Sequence, residues 1–291
     1  MAKILITGGT GLVGSKLTEL LIAKKHTVRI LSRSPENKNE FKWNVSSSYI
    51  DEKALENIDY IIHLAGAGIA DKRWTDERKK IIISSRVDTA NLLFNKVKEL
   101  KIPLKGFISA SGSNYYGAKT TDKIFKETDS VGDDFLGEVC KKWENAAHQF
   151  KKLNIPVTIL RTGVVLSKKG GALERMKTPI ISPLGSGNQY MSWIHVKDLC
   201  NLYIKAIEED FVGVFNVVAP EFHTSKTFSK TLAKVIKRPY LPISVPSFLL
   251  KLFFGELAVI LLEGSRLSSK KIKEEGFTFT YDSLEKALEN L

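Results

Sequence analysis

The apolar positions of the first 166 residues fall into two alternating rhythms. Short runs dense in β-branched residues, "KILIT" (3–7), "TVRILS" (27–32) and "DYIIHLA" (59–65), are bounded by turn residues and read as buried strands. Between the first two, "GSKLTELLIAKK" (14–25) places its apolar residues at helical spacing. The alternation continues with "WTDERKKIIISSRVDTANLLFNKVKEL" (74–100, helical), "GFISAS" (106–111, strand), "DFLGEVCKKWENAAHQFKKL" (134–153, helical) and "PVTILRTGVVL" (156–166, strand). Strands separated by helices predict parallel pairing through right-handed crossovers. The expected fold is therefore α/β, a Rossmann-type doubly wound parallel sheet whose ligands lie at the carboxyl ends of its strands.

After Leu166 the rhythm changes. "SKKGGALERMKTPIISPLGSGNQYMSW" (167–193) is rich in Gly, Pro and Ser and predicts a long loop with a short helix, suited to covering a substrate. "VFNVV" (214–218) returns to strand, and the remainder reads as short helices. This organisation predicts a Rossmann-type domain over residues 1–166, rejoined by 193–219, and a smaller, mainly helical C-terminal substrate domain formed by 167–192 and 220–291. The longest apolar stretch, "FLLKLFFGELAVILLEG" (248–264), is interrupted by Lys251, Gly255 and Glu256, which are costly in a bilayer. It predicts a buried or partner-facing helix, with an amphipathic membrane contact as the alternative, and no membrane insertion.

Composition changes this picture little. A chain of 291 residues with 43% hydrophobic content buries a large core without covalent staples. Cys140 and Cys200 form no CxxC pair, which fits a reducing cytoplasm, and the opening "MAKILITGG" lacks the long apolar core of a secretion signal. The formal charge of +12 raises the question of nucleic acid. Its basic pairs (Lys24/Lys25, Lys79/Lys80, Lys141/Lys142, Lys151/Lys152, Lys168/Lys169, Lys270/Lys271) are scattered among acidic residues, as on solvated helix faces, so no specific nucleic-acid binding is expected. An anionic small molecule is still favoured by such a field. His26, His63, His148 and His223 show no metal-ligand spacing, and no metal is expected.

The strongest local signal is "ITGGTGLVGSKL" (6–17), which follows the first strand and opens the first helix. Gly8 permits a tight turn, Gly11 lets backbone N–H groups approach a pyrophosphate, and Gly14 allows close packing of helix on strand. The second strand ends in "ILSRS", so Ser32 and Arg33 stand where an acid would otherwise accept a hydrogen bond from a ribose 2′-hydroxyl. A guanidinium there suits a 2′-phosphate, which makes NADP(H) the expected cofactor. The alternative for Arg33 is one more exposed basic residue.

"TGGTGLVG", "HLAG" (63–66), "LRTGVV" (160–165), "WIHVKDL" (193–199) and "FNVVAP" (215–220) occur in the order seen in the extended short-chain dehydrogenase/reductase superfamily, which the chain resembles over nearly its whole length. "AGAGIADKRWT" (65–75), "SRVDTANLL" (85–93), "SASGSNYYG" (109–117), "FLGEVCKKWE" (135–144), "RTGVVLSKKGGAL" (161–173) and "EEGFTFTYDSLEKAL" (274–288) are similar to its atypical "epimerase family protein" branch, NAD-dependent epimerase/dehydratase-like and ending in a small domain of unknown function. The resemblance implies that Thr10, Leu12 and Val13 complete the phosphate cradle and that Leu64, Ala65, Gly66, Ser109 and Arg161 also line the cofactor site.

In the wider superfamily a Tyr acts as acid/base, and a Lys four residues later lowers its pKa and holds the nicotinamide ribose. The resemblance aligns those positions with Leu136 and Cys140. With neither group present, proton transfer has to come from elsewhere. Ser111 and Tyr116 after the strand "GFISAS", with Tyr115 as the second choice, are the expected substitutes. Cys140 is either a third or inert packing. Nucleotide-sugar members commonly carry an Arg where Met191 stands, which argues against such a substrate. Arg73, Trp74, Tyr190 and Trp193 are candidates for the substrate pocket wall, the tryptophans alternatively being core, and His195 reads as structural. Two functions follow: an NADP(H)-dependent oxidoreductase or epimerase-like enzyme on a small carbonyl or hydroxyl substrate, or a non-catalytic NADP(H)-binding sensor.

Overall fold

The structure is a computed structural model that describes residues 1–209 and 211–291. In chain order its elements are β1 (Lys3–Thr7), α1 (Leu12–Ala23), β2 (Thr27–Ser32), β3 (Glu40–Asn44), β4 (Tyr49–Ile50), β5 (Tyr60–His63), α2 (Asp76–Glu99), β6 (Gly106–Gly112), β7 (Ile124–Phe125), α3 (Phe135–His148), β8 (Val157–Thr162) and β9 (Val164–Leu166). There follow α4 (Ala172–Met176), β10 (Trp193–His195), α5 (Val196–Glu208), β11 (Gly213–Val217), α6 (Ser225–Val235), α7 (Ser247–Phe254), α8 (Val259–Leu262), β12 (Arg266–Leu267), α9 (Lys270–Glu274) and α10 (Leu284–Glu289).

Eight strands form one sheet in the order β11-β8-β6-β5-β1-β2-β3-β4, parallel throughout except for the β3–β4 pair. Because side chains alternate along a strand, β1 feeds two cores at once. Ile4 and Ile6 pack with Leu17 and Leu21 of α1 and Leu199 and Tyr203 of α5. Leu5 faces the other way, toward Ile61, Leu93, Phe107 and Phe150, the last two stacked with ring centroids 3.8 Å apart. Burying each such side chain contributes about 1.5–3 kcal/mol. From β1 the chain runs through α1 to β2 on one side and later reaches β5 on the other, so the strand order reverses at β1 and opens a crevice beyond its carboxyl end.

The stretch expected as one strand over 156–166 breaks at Gly163. A Cβ there would come within 2.5 Å of the Ser192 carbonyl oxygen, where the chain crosses. β9 beyond the break leaves the large sheet and pairs with β10 instead. Leu173, Ile181, Trp193, Phe228, Leu232, Leu284 and Leu288 build a second core in the C-terminal part. The buried Asp198 carboxylate fastens the last segment to α5 by accepting from the backbone N–H groups of Thr280 (3.0 Å) and Tyr281 (2.9 Å). Within the apolar stretch of 248–264, Leu250, Leu257 and Ala258 are buried while Phe248, Leu252 and Phe253 face outward. No helix among the described residues is long and apolar enough to cross a membrane.

Candidate dinucleotide-binding site

The crevice at the end of β1 is shaped by glycines. Gly8 has φ +70°, its carbonyl accepts from Gly11 N–H at 3.0 Å, and a Cβ on Gly14 would lie 2.2 Å from that same carbonyl oxygen. The turn and the helix therefore touch backbone to backbone, which no other residue type at 14 permits. α1 opens at Gly11 with no side-chain cap and no acid in its first turn, leaving its N–H groups and positive dipole end to an anion. Thr10 and Gly11 are exposed, and Leu12 and Val13 half-buried. Thr7 fixes the opposite wall, because its buried Oγ1 accepts from the N–H groups of Leu64 (3.2 Å) and Ala65 (3.1 Å). Gly66 comes next and is exposed.

At the end of β2, Ser32 Oγ accepts from Ser34 N–H at 3.2 Å. Arg33 is exposed and makes no hydrogen bond or ion pair with the described residues. The cradle, the uncapped helix start and this unpaired guanidinium fit a phosphorylated dinucleotide. Among the described residues no cluster of His, Cys, Asp or Glu could hold a metal ion.

Beyond β5 the geometry departs from expectation. The sheet register sets Ser111 of β6, Arg161 of β8 and Asn216 of β11 in one row across three strands. Glu144 of α3 meets this row. Arg161 binds it through two bonds, Nε to Oε1 at 2.8 Å and Nη2 to Oε2 at 2.9 Å, and Ser111 Oγ donates to the same Oε1 at 2.7 Å. Arg161 Nη1 donates to the Tyr116 hydroxyl at 2.8 Å, which in turn donates to Asn216 Oδ1 at 2.7 Å. Burial alone would lower the Arg161 pKa, but Glu144 and Tyr116 outweigh it and raise it. Burial pushes Tyr116 up to about 12, against the pull of Arg161.

The row engages three of the residues expected at the site. Arg161 is a buried ion-pair partner with its donors engaged, Tyr116 is a strut with its hydroxyl saturated, and Ser111 supports Glu144. Ser109 is also fully buried, its Oγ donating to the Ala110 carbonyl at 2.9 Å. Cys140 is buried, faces the Gly112 carbonyl at 3.8 Å, and is pushed up to about 11 by desolvation and by Glu144. Leu136 packs with Trp74, Ile82 and Val139. Tyr115 differs from its neighbour: it is half-buried, its ring lies 3.3 Å from the Arg161 guanidinium carbon, and its hydroxyl has no hydrogen-bond partner among the described residues.

The expected substrate wall also disperses. Trp193 is fully buried in the C-terminal core. Trp74 is buried against Phe135 with its Nε1 donating to the Ile69 carbonyl at 3.0 Å. Arg73 donates to the Leu252 carbonyl, fastening the 65–75 loop to α7. Tyr190 lies beneath Arg266, 4.6 Å from ring to guanidinium. His195 caps α5 through Nδ1, accepting from Lys197 N–H at 3.1 Å, and burial lowers it to about 4, as a structural histidine requires.

Sequence reasoning passed over one group beside the crevice. Trp143 Nε1 donates to His63 Nδ1 at 3.2 Å, so His63 Nε2 carries the proton toward Thr89 Oγ1 at 2.9 Å. Burial and nearby Arg86 lower His63 to about 3. The Arg86 guanidinium in turn rests over the Trp143 ring at 4.9 Å. Its sequence signal is an Arg inside the apolar stripe Ile82, Ala90, Leu93 and Val97 of α2.

Comparison with known proteins agrees with this architecture. Residues 4–218 match the model of the NAD dependent epimerase/dehydratase family, and residues 245–291 match a domain of unknown function, DUF1731. An epimerase family protein of Staphylococcus aureus is 35% identical over 299 aligned positions, covering 100% of this chain and 99% of the relative. One from Mycobacterium bovis is 36% identical, covering 99% and 96%. The crystal structure of human epimerase family protein SDR39U1 (isoform 2) with NADPH superposes with a TM-score of 0.88 at 30% identity, covering 99% of this chain and 98% of that one. The nucleoside-diphosphate sugar epimerase of Corynebacterium glutamicum superposes at 0.80 with 29% identity, covering 99% of this chain and 57% of that one. With a glycine cradle built for a dinucleotide and matches that run through the whole sequence, the chain belongs to the NAD dependent epimerase/dehydratase family, in the company of the epimerase family proteins.

Proposed function

We propose that the protein binds NADP(H) and uses it in an epimerase-like or oxidoreductase reaction on a small carbonyl or hydroxyl substrate. The observation that carries the cofactor choice is Arg33, exposed and unpartnered at the end of β2 beside the glycine cradle. A 2′-phosphate would complete its charge, and the similar human protein was solved with NADPH. Gly8, Gly11, Gly14 and the first turn of α1 hold the pyrophosphate, Ser32 and Arg33 the adenosine end, and Leu64, Ala65 and Gly66 the opposite wall. The cofactor supplies hydride transfer. Of the two adjacent tyrosines, Tyr115 is the one with an unengaged hydroxyl, and we assign proton transfer to it instead of Tyr116.

A second reading, a non-catalytic NADP(H) sensor, is supported by the burial of Leu136 and Cys140, the residues that the family resemblance aligns with the Tyr and Lys. Titration of the purified protein with NADPH and NADH tests the shared part. NADPH should bind more tightly by about tenfold or more, as a charge-assisted bond of roughly 1.5–3 kcal/mol implies, and Arg33→Asp should remove the preference. Equal affinities would overturn the NADP(H) assignment. Following nicotinamide absorbance across a carbonyl panel separates enzyme from sensor, with Tyr115→Phe expected to abolish whatever turnover is found.

A further inference from the structure

The C-terminal part carries an apolar face that the fold leaves uncovered. Apart from Met1, the four most exposed large apolar side chains among the described residues are Ile243, Phe248, Leu252 and Phe253, each 67–69% exposed. Phe248 and Leu252 stand one turn apart on α7 with Phe253 beside them, while Leu250 is the buried side chain of that helix. Ile180, Leu241 and Phe254 are exposed as well. Backbone pairing joins these segments. Leu241 N–H donates to the Ile181 carbonyl and Val245 N–H to that of Pro183, both at 2.9 Å, so the chain at 181–183 runs beside 241–245, which leads into α7. Each of the four side chains leaves roughly 100 Å² of apolar surface in water, about 400 Å² together, the size of patch that on monomers is often functional.

The charge around this face narrows the partner. From Phe222 to Gly255 the chain has no acid and carries Lys226, Lys230, Lys234, Lys237, Arg238 and Lys251, and from Arg175 to Lys197 it has no acid either. Lys226, Lys230 and Lys234 recur at i, i+4 spacing along the exposed side of α6. Lys226 N–H donates to the Gly187 carbonyl at 2.9 Å, and a Cβ on Gly187 would meet Lys226 Cβ at 3.4 Å and Ser244 Oγ at 3.6 Å. The lysine row therefore starts next to Ile243. Lys237 and Arg238 lead into Leu241, and Lys251 stands on α7 between Phe248 and Leu252. Of these cations Lys234 has a carboxylate partner, Glu285, and the others form no ion pair or side-chain hydrogen bond with the described residues. The acid that ends the run, Glu256, is taken by Lys79.

A second copy of the chain would set the same cations against each other, which disfavours self-association through this face. A bilayer with anionic headgroups offers apolar depth and negative charge in one plane, the combination that exposed aromatics interleaved with lysines match. We propose that this face docks the protein on a membrane leaflet carrying anionic lipid. Phe248, Leu252 and Phe253 enter the boundary between headgroups and acyl chains, and the unpaired lysines and Arg238 lie against the lipid phosphates. α7, eight residues long, rests on the leaflet and does not cross it. Docking does not depend on which cofactor is bound.

Co-sedimentation of the purified protein with vesicles is the test, using phosphatidylcholine alone and phosphatidylcholine with about an equal part of phosphatidylglycerol. Wild type is compared with Phe248→Ser/Leu252→Ser/Phe253→Ser and with Lys226→Gln/Lys230→Gln. All the altered side chains are exposed, so melting temperatures should stay within about 2 °C of wild type. Wild type should bind the mixed vesicles at least about tenfold more tightly than phosphatidylcholine, and lose that advantage as salt rises from about 0.1 M to 0.5 M. The triple apolar variant should weaken binding to the mixed vesicles about tenfold or more, and the double lysine variant, at about fivefold per charge, by a similar factor. If the triple variant melts lower, Phe253→Ser alone takes its place, with a loss of about threefold or more expected. Absence of wild-type binding to the mixed vesicles overturns the proposal, as does equal binding to both vesicle types. Binding that the apolar variants retain in full also overturns it, the mark of cations adhering without insertion. A dimer in sedimentation velocity that the triple variant dissolves, with no vesicle binding by wild type, assigns the face to a second copy instead.

Discussion

Glu144→Leu tests the row of buried polar groups on the β6–β8–β11 face. Leucine has similar bulk but no acceptor, so Arg161 would keep only the Tyr116 hydroxyl and the Glu127 carbonyl, and Ser111 Oγ would lose its acceptor. Removing one member of a buried ion pair costs about 3–5 kcal/mol, because the other charge stays buried and uncompensated. A chain of 291 residues melting as one unit has an unfolding entropy of about 0.6 kcal/mol per kelvin, so the melting temperature should fall by roughly 5–8 °C. The double variant Glu144→Leu/Arg161→Met removes both charges and should recover more than half of that loss. Thermal unfolding by circular dichroism reads both values. NADPH titration of the double variant should stay within about twofold of wild type, since Arg161 spends its donors inside the fold. A fall below about 2 °C for the single variant, or tenfold weaker NADPH binding by a well-folded double variant, would refute the reasoning.

Three further outcomes are expected. Gly14→Ala puts a Cβ 2.2 Å from the Gly8 carbonyl oxygen and should weaken NADPH binding at least about tenfold, read by the same titration. Tyr116→Phe leaves Asn216 and Arg161 each short of a partner and should lower stability by about 1–3 kcal/mol in urea unfolding, with cofactor affinity unchanged. His63 is held near 3 when folded against an ordinary 6.5, so the unfolded chain takes up the proton first: its contribution is complete above about pH 6.5 and declines as pH falls toward 3. Melting temperatures from pH 7 to 4 should fall less steeply for His63→Phe than for wild type, and identical slopes would contradict the assignment.

The parts of the site that could be read from sequence are those with local causes. A glycine at 14 is required by two backbones in contact a few residues apart, and Arg33 is notable because it follows a strand end directly. The residues of the buried polar row owe their contacts to strand register. Arg161 stands two residues before the break at Gly163, and only the pairing of Ser111 with Arg161 and of Arg161 with Asn216 reveals that all three share a face turned toward α3. Tyr116 follows, because a phenol beside that row finds Asn216 and Arg161 before it finds solvent. Trp193 and Trp74 show the same limit, since an aromatic beside a loop serves equally as wall or core. Arg86 left a readable trace, a charge within an apolar helical stripe, but the stripe could not say whether an acid waited opposite.

The structure answers that last question through α3. Residues 136, 140, 143 and 144 recur at helical spacing and share its inner face, so one helix meets both buried arginines. Glu144 neutralises Arg161 and closes that network within the protein. One residue earlier, Trp143 offers Arg86 a ring face and no charge, while Cys140 offers a thiol kept neutral by its surroundings. The two arginines thus differ in what α3 offers them, an acid for Arg161 and a ring face for Arg86.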